Sequence, residues 1–140
     1  LQVRGNMRSG NATAGIDMYL AVNGDTGANS CSQKMYFNAT NGQGLTTNLD
    51  VYINFGETTG TSYNDFPFFP TFVIDLHDYA AADKGKTVQY QWGKSVWSSE
   101  SLGIGGGYWN DTTAISSLKF YFASGEIQRG SVFSLYGFNE

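Results

Sequence analysis

Residues 15–23 alternate without a break. Ile16, Met18, Leu20 and Val22 fall on one side, and Asp17, Tyr19, Ala21 and Asn23 on the other. A period of two sends successive side chains to opposite faces of a pleated strand, so one face is buried and the other is wet. The same alternation returns at 51–55 (Val51, Ile53, Phe55), 71–77 (Phe72, Ile74, Leu76), 87–93 (Val88, Tyr90, Trp92) and 115–122 (Leu118, Phe120, Phe122). No stretch of about eleven residues follows the 3.6 period of an amphipathic helix. Helix bundles and dinucleotide-binding α/β folds are therefore excluded.

Composition agrees, with aromatics at 16% and charged residues at only 14%. Aromatic and β-branched residues set among Gly, Ser, Thr and Asn make strands joined by turns. Further strands are expected at 1–7, where Leu1, Val3 and Met7 share a side, and at 34–38, 102–109 and 131–138. Ser9-Gly10-Asn11 supplies a turn after the first, and 24–29 a loop with left-handed Asn-Gly and Thr-Gly steps. The expected fold is all-β, an antiparallel two-sheet β-sandwich of eight or nine strands. Long mid-chain connections fit Greek-key crossings and make it jelly-roll-like. With 140 residues and 15.3 kDa, the expectation is one domain over 1–140, folding to roughly 7,000 Å² of surface.

The net charge is −4, with the eight basic residues scattered from Arg4 to Arg129. Such a chain offers no phosphate-tracking surface, and nucleic acid is not an expected partner. Cys31 is the one cysteine, so no internal disulfide forms and a buried or half-buried thiol is expected. No apolar run approaches the roughly 18 residues of a spanning helix, and 1–10 lacks the apolar core of a signal peptide. Membrane insertion is not expected. Opening on Leu1 rather than Met suits a processed product or a piece of something longer.

Residue types that carry chemistry are thin. His77 is the only imidazole, no nucleophile elbow surrounds any serine, and a surface role beside Asp78 is the expectation. One His and one Cys far apart do not make a zinc site. Asp17, Asp50, Asp75 and Glu57 could in principle serve glycoside hydrolysis, but their outward or loop positions are where solvated charges belong. Gly103-Ile104-Gly105-Gly106-Gly107 lacks the Lys-Ser/Thr of a phosphate loop and reads as a bulge or a close backbone approach. Asn23, Asp25 and Asn29 offer oxygens in a tight loop, yet Lys34 stands where an EF-hand needs Glu. No catalytic residue, metal or cofactor is assigned. Three Asn-x-Thr sites, at Asn11, Asn38 and Asn110, fit chance in a chain rich in both residues.

Loop aromatics remain: Tyr63, Phe66, Phe68, Phe69, Tyr108 and Trp109. They could cap the open ends of the sandwich, meet a partner subunit, or stack on sugar rings.

The stretch Trp109-Asn110-Asp111-Thr112-Thr113-Ala114-Ile115-Ser116-Ser117-Leu118, followed by Gly125 and then Gly130-Ser131-Val132-Phe133-Ser134-Leu135-Tyr136-Gly137-Phe138, resembles a family of tailed-bacteriophage virion proteins. Their chains end in W-x-x-x-x-A-I-x-x-I/L, a gap, and G-S-x-F/V-x-L-Y-G. Val22-Asn23-Gly24-Asp25-Thr26-Gly27-Ala28-Asn29 resembles the family's F-N-G-D-T/S-G-x-N-Y loop, with Ser30 in place of the Tyr. Ile74-Asp75-Leu76-His77-Asp78-Tyr79 is similar to its I-x-I-x-D/N-Y segment, and Lys86-Thr87 follows as expected. The signature residues are thus Asn23, Gly24, Asp25, Gly27, Trp109, Ile115, Gly130, Ser131, Leu135, Tyr136 and Gly137.

The resemblance implies a jelly-roll-like, non-enzymatic module on the virion surface, either a capsid decoration protein or part of a head or tail fibre. Such modules commonly form trimers and attach to other capsid, fibre or tail proteins. The rival expectation is a receptor- or carbohydrate-binding module that engages a host surface glycan through its aromatics. Gly130 should take a positive φ, Ser131 should bond the turn, and Phe133 and Leu135 should reach the core face.

Overall fold

Ten strands follow one another in the computed structural model, which describes residues 1–38, 42–59, 68–94 and 100–138. They are β1 (Gln2–Asn6), β2 (Ala14–Val22), β3 (Ser30–Asn38), β4 (Gly42–Asp50), β5 (Ile53–Thr59), β6 (Thr71–Leu76), β7 (Lys86–Lys94), β8 (Ser101–Trp109), β9 (Leu118–Phe122) and β10 (Val132–Tyr136). No helix occurs among the described residues. The strands form an antiparallel seven-stranded sheet, in the order β10-β1-β6-β7-β8-β3-β4, and a three-stranded sheet, β5-β2-β9. The pairs β1/β10, β2/β9 and β3/β8 nest, while β6-β7-β8 is a plain meander. The sheets are unequal rather than the matched halves of a simple jelly roll.

Alternation places most of the core where the pattern predicts; Val51, expected inward with Ile53 and Phe55, is instead 37% exposed because β5 begins only at Ile53. Val3, Phe72, Ile74, Leu76, Val88, Tyr90 and Trp92 from the large sheet meet Ile16, Met18, Leu20, Ile53, Phe55 and Phe122 from the small one. Phe55 and Phe72 are 5.2 Å apart between ring centroids, and Phe120 meets Phe55 edge-on at 5.9 Å. Total accessible surface is 7598 Å², close to the sequence expectation.

Three expectations are corrected. The strand count is ten rather than eight or nine, because β4 reads Gly-Gln-Gly-Leu-Thr-Thr-Asn-Leu-Asp and carries no apolar alternation. Strand β3 begins at Ser30 rather than Lys34, because its inward positions Ser30, Ser32 and Lys34 are polar and buried. Strand β9 starts at Leu118, with 115–117 drawn off into loop contacts.

Glycines 103, 105 and 107 point inward along β8, whose pairing with β3 and β7 is unbroken. They mark no bulge. A Cβ at Gly103 would stand 2.1 Å from the Trp92 ring, and one at Gly105 would stand 2.5 Å from the Tyr90 ring. The glycine row of β8 is the groove into which the two largest side chains of β7 fit.

Candidate functional site

Hydrogen bonds bring the 22–29 loop, Trp109 and residues 114–117 together in one hub. Asn23 (φ 52) and Gly24 (φ 65) make a tight left-handed turn closed by the bond from Asp25 N to Val22 O at 2.9 Å. That is the backbone shape for which Asn-Gly is suited. Asn23 then works as a clasp. Its Oδ1 accepts from Ser116 N (2.8 Å) and Ser117 N (3.0 Å), and its Nδ2 donates to Ala114 O at 2.9 Å. Asp25 accepts from Gly27 N (2.8 Å), Asn29 Nδ2 (3.0 Å) and Trp109 Nε1 (2.7 Å). These bonds, the indole first, hold its carboxyl below the usual carboxylate value. Ile115 N donates to Tyr79 O at 2.7 Å, joining the 74–79 segment to the same hub. Beneath it Lys86 is fully buried, its Nζ donating to Lys84 O (2.6 Å) and Thr112 O (3.2 Å).

Trp109 is only 1% exposed, which corrects its place among the partner or ligand aromatics. Its ring faces inward from the last residue of β8, and its one donor is spent on Asp25. With both Asp25 oxygens engaged by donors, the loop presents hydrogen-bonded structure rather than cation ligands. Among the described residues no group of three or more His, Cys, Asp or Glu side chains stands together.

At the far edge of the large sheet lies the apolar part of the signature. Gly130 takes φ 99, and Ser131 Oγ accepts from Arg8 N at 3.2 Å, tying the turn to the chain after β1. Phe133 and Leu135 lie on the inner side of β10, opposite Gly5 and Val3. Phe133 sits 5.2 Å from Phe120 and 6.0 Å from Phe72. Yet Leu135 is 63% and Phe133 40% exposed, so their expected burial in the core is corrected: the small sheet covers β10 only in part, Phe120 reaching Phe133. Between them opens a groove of about 410 Å³ lined by Leu1, Val3, Ile115, Leu118, Phe133 and Leu135, among others. Val132, Tyr136 and Phe138 are exposed beside it. Among the described residues β10 pairs only with β1, so its outer rim of N–H and C=O groups is available to another strand.

The other aromatics scatter. Tyr108 points outward from β8, and Phe68 is exposed. Phe69 is half-buried and lies against Gly130, whose Cβ would meet its ring at 3.0 Å. Tyr63 and Phe66 lie outside the described residues. Two features had no aromatic-loop signal. The first is an apolar stripe on the outer face of the large sheet, where Met35 is opposite Ile104 and Phe37 opposite Leu102. The second is a tyrosine trio on the outer face of the small sheet: Tyr19 stacks on Tyr52 at 3.9 Å, and Tyr121 meets Tyr19 edge-on at 5.4 Å. Burial is the first cause that raises all three phenols above their ordinary value.

Of the chemistry-bearing side chains, His77 is exposed and Cys31 half-buried. Asp75 accepts from Gln2 Nε2 at 2.7 Å. Two acids expected to be simply solvated are corrected. Asp17 pairs with the buried Lys34 at 3.0 Å, and Glu57 with the buried Lys94 at 3.2 Å. Burying a lysine is unfavourable unless it is paired, so these carboxylates are positioned by the fold. Lys34 Nζ also reaches Asn54 Oδ1 at 3.0 Å. Sequence reading missed this cluster, whose members come from three strands.

No protein-family model, curated protein or solved structure matches the chain.

Proposed function

We propose that the chain is a non-enzymatic, jelly-roll-like module of a bacteriophage particle surface, which attaches to neighbouring capsid, fibre or tail subunits and assembles as a trimer. The observation that carries it is the exposed apolar edge strand: Phe133 and Leu135 line an apolar groove on the inner side of β10, and Val132 and Tyr136 are exposed on its outer side. An apolar edge strand with open backbone groups is a hazard in a lone protein and an asset in one that docks. The virion setting rests on the signature, whose polar half holds the rim together and whose apolar half lines that edge. At 25 cal/mol per Å², a partner covering about 800 Å² yields roughly 20 kcal/mol of gross burial, most of it offset by ordering and association.

The test is Leu135→Asp with Phe133→Ser, read by light-scattering mass and by occupancy on particles. A trimer mass that falls to monomer, or lost occupancy, is expected. An unchanged mass and occupancy would overturn the assignment. A second reading, glycan recognition at the host surface, draws on the half-buried Tyr19–Tyr52–Tyr121 trio on the outer face of the small sheet, since aromatic rings stack on sugars. Tyr121→Ala would then abolish cell adsorption while leaving assembly intact.

A further inference from the structure

We infer that Lys34 and Asn54 form an intramolecular isopeptide bond, with Asp17 as the proton carrier, so that the two sheets become covalently joined. The proposal does not depend on the virion assignment.

The juxtaposition is specific. Lys34 and Asn54 are each 4% exposed, one from β3 of the large sheet and the other from β5 of the small one. Lys34 Nζ lies 3.0 Å from Asn54 Oδ1 and 3.0 Å from Asp17 Oδ1. A carbonyl bond is about 1.23 Å long, so the nitrogen stands no more than about 4.2 Å from the amide carbon. That is close to the separation at which held groups react. Trp92 and Tyr36 wall the site, their ring centroids 5.8 and 6.0 Å from the lysine nitrogen. A dry, aromatic wall keeps water from competing as nucleophile.

The backbone prepares the acceptor. Between Met18 and Tyr19 the β2/β5 register slips, leaving Phe55 as the extra residue and Gly56 at φ 143. Such a bulge re-aims the neighbouring side chain. Gly56 N donates to Asn54 Oδ1 at 3.3 Å, and Asn54 N donates to Ser32 Oγ at 3.2 Å. The first bond points a donor at the oxygen where charge develops on attack. Gly56 admits no side chain, because its Cβ would meet Trp92 at 2.5 Å.

The step balances without an oxidant. The Lys34 ammonium gives one proton to the Asp17 carboxylate, and the neutral amine attacks Asn54 Cγ, forming the C–N bond. The tetrahedral carbon's oxyanion is met by Gly56 N–H. Asp17 passes its proton to Asn54 Nδ2, the Cγ–Nδ2 bond breaks, and ammonia departs. The second Lys34 proton leaves through Asp17 to the ammonia, ending as ammonium. One amide replaces another, and the released ammonia makes the reaction effectively one-way.

Intact-mass spectrometry of the folded chain tests this directly. A mass about 17 Da below the sequence value is expected, the loss of one ammonia. Succinimide at the Asn-Gly steps, 23–24 and 41–42, would lose the same mass, so the sample is treated with hydroxylamine, which opens a succinimide and spares an isopeptide. Proteolysis should then yield a branched peptide joining the Lys34 and Asn54 fragments. Lys34→Arg, Asn54→Ala and Asp17→Asn should each return the full mass. A wild-type chain at its full sequence mass overturns the proposal, as does a deficit that hydroxylamine removes or that survives Lys34→Arg.

Discussion

Replacing Gly103 by alanine should be among the most damaging single-methyl additions to this molecule. The new Cβ would stand 2.1 Å from Trp92 Cη2 and 2.3 Å from Cζ2. Carbon atoms rest about 3.5–4.0 Å apart, so the indole would have to retreat by about 1.4 Å or more. Retreat is blocked: a Cβ position at Gly56 already lies 2.5 Å from Cδ2 of the same ring, so Trp92 is wedged between two glycine backbones. Overpacking a core costs about 1–3 kcal/mol, and a ring held on both sides belongs at the top of that range. At roughly 2.1 cal/mol/K per residue of unfolding entropy, about 3 kcal/mol lowers Tm by about 10 °C. Urea titration and calorimetry would measure both quantities. The diagnostic is the cycle with Trp92→Leu, in whose background Gly103→Ala should cost under about 1 kcal/mol. A Gly103→Ala variant within about 0.5 kcal/mol of the parent, or an equal penalty in both backgrounds, would refute the wedge.

Trp109→Phe removes the indole donor from Asp25 and should cost about 1–2 kcal/mol, the lower part of the range for a bond to a charged group, because the half-exposed carboxylate recovers water. Asp25 has a folded value below its ordinary 3.8, so its contribution is whole above that pH and is lost as pH falls through the folded value. The variant should therefore lose less stability on acidification, and its Asp25 carboxyl carbon should titrate at higher pH by NMR. Equal acid sensitivity of the two proteins would show that the indole bond does not set the carboxyl's state. Lys86→Ala should cost about 2–5 kcal/mol in urea, since it opens a cavity and orphans two carbonyls, whereas Lys86→Met should keep most of the packing. A smaller loss for Ala than for Met would overturn the packing role of the buried Lys86 stem, and a Lys86→Met variant as stable as the parent would overturn the tie-down role of its amine.

Much of the scaffold was legible because burial and period coincide. Where Ile, Leu, Val and aromatics alternate, as in β2, β6 and β7, the strands and the buried face follow from the pattern alone. The pattern failed where the inner face is polar. In β3 the buried residues are serines and a lysine, and the apolar Met35 and Phe37 stand in solvent. In β4 there is no contrast to read. The hub around Asn23, Asp25 and Trp109 could be picked out residue by residue, but not as a set of contacts.

The sequence by itself determined an all-β chain whose strands each bury one face, because a two-residue hydrophobic period sends successive side chains to opposite sides of a pleated strand. It also determined the left-handed Asn23-Gly24 turn, a property of a dipeptide. Only the tertiary structure decided which sheet each strand joined, that Trp109 is interior, that β10 is left half uncovered, and that Lys34, Asn54 and Asp17 share one buried site. Those outcomes depend on how far the small sheet spreads over the large one. That reach is set by contacts between residues distant in the chain, which no local period encodes.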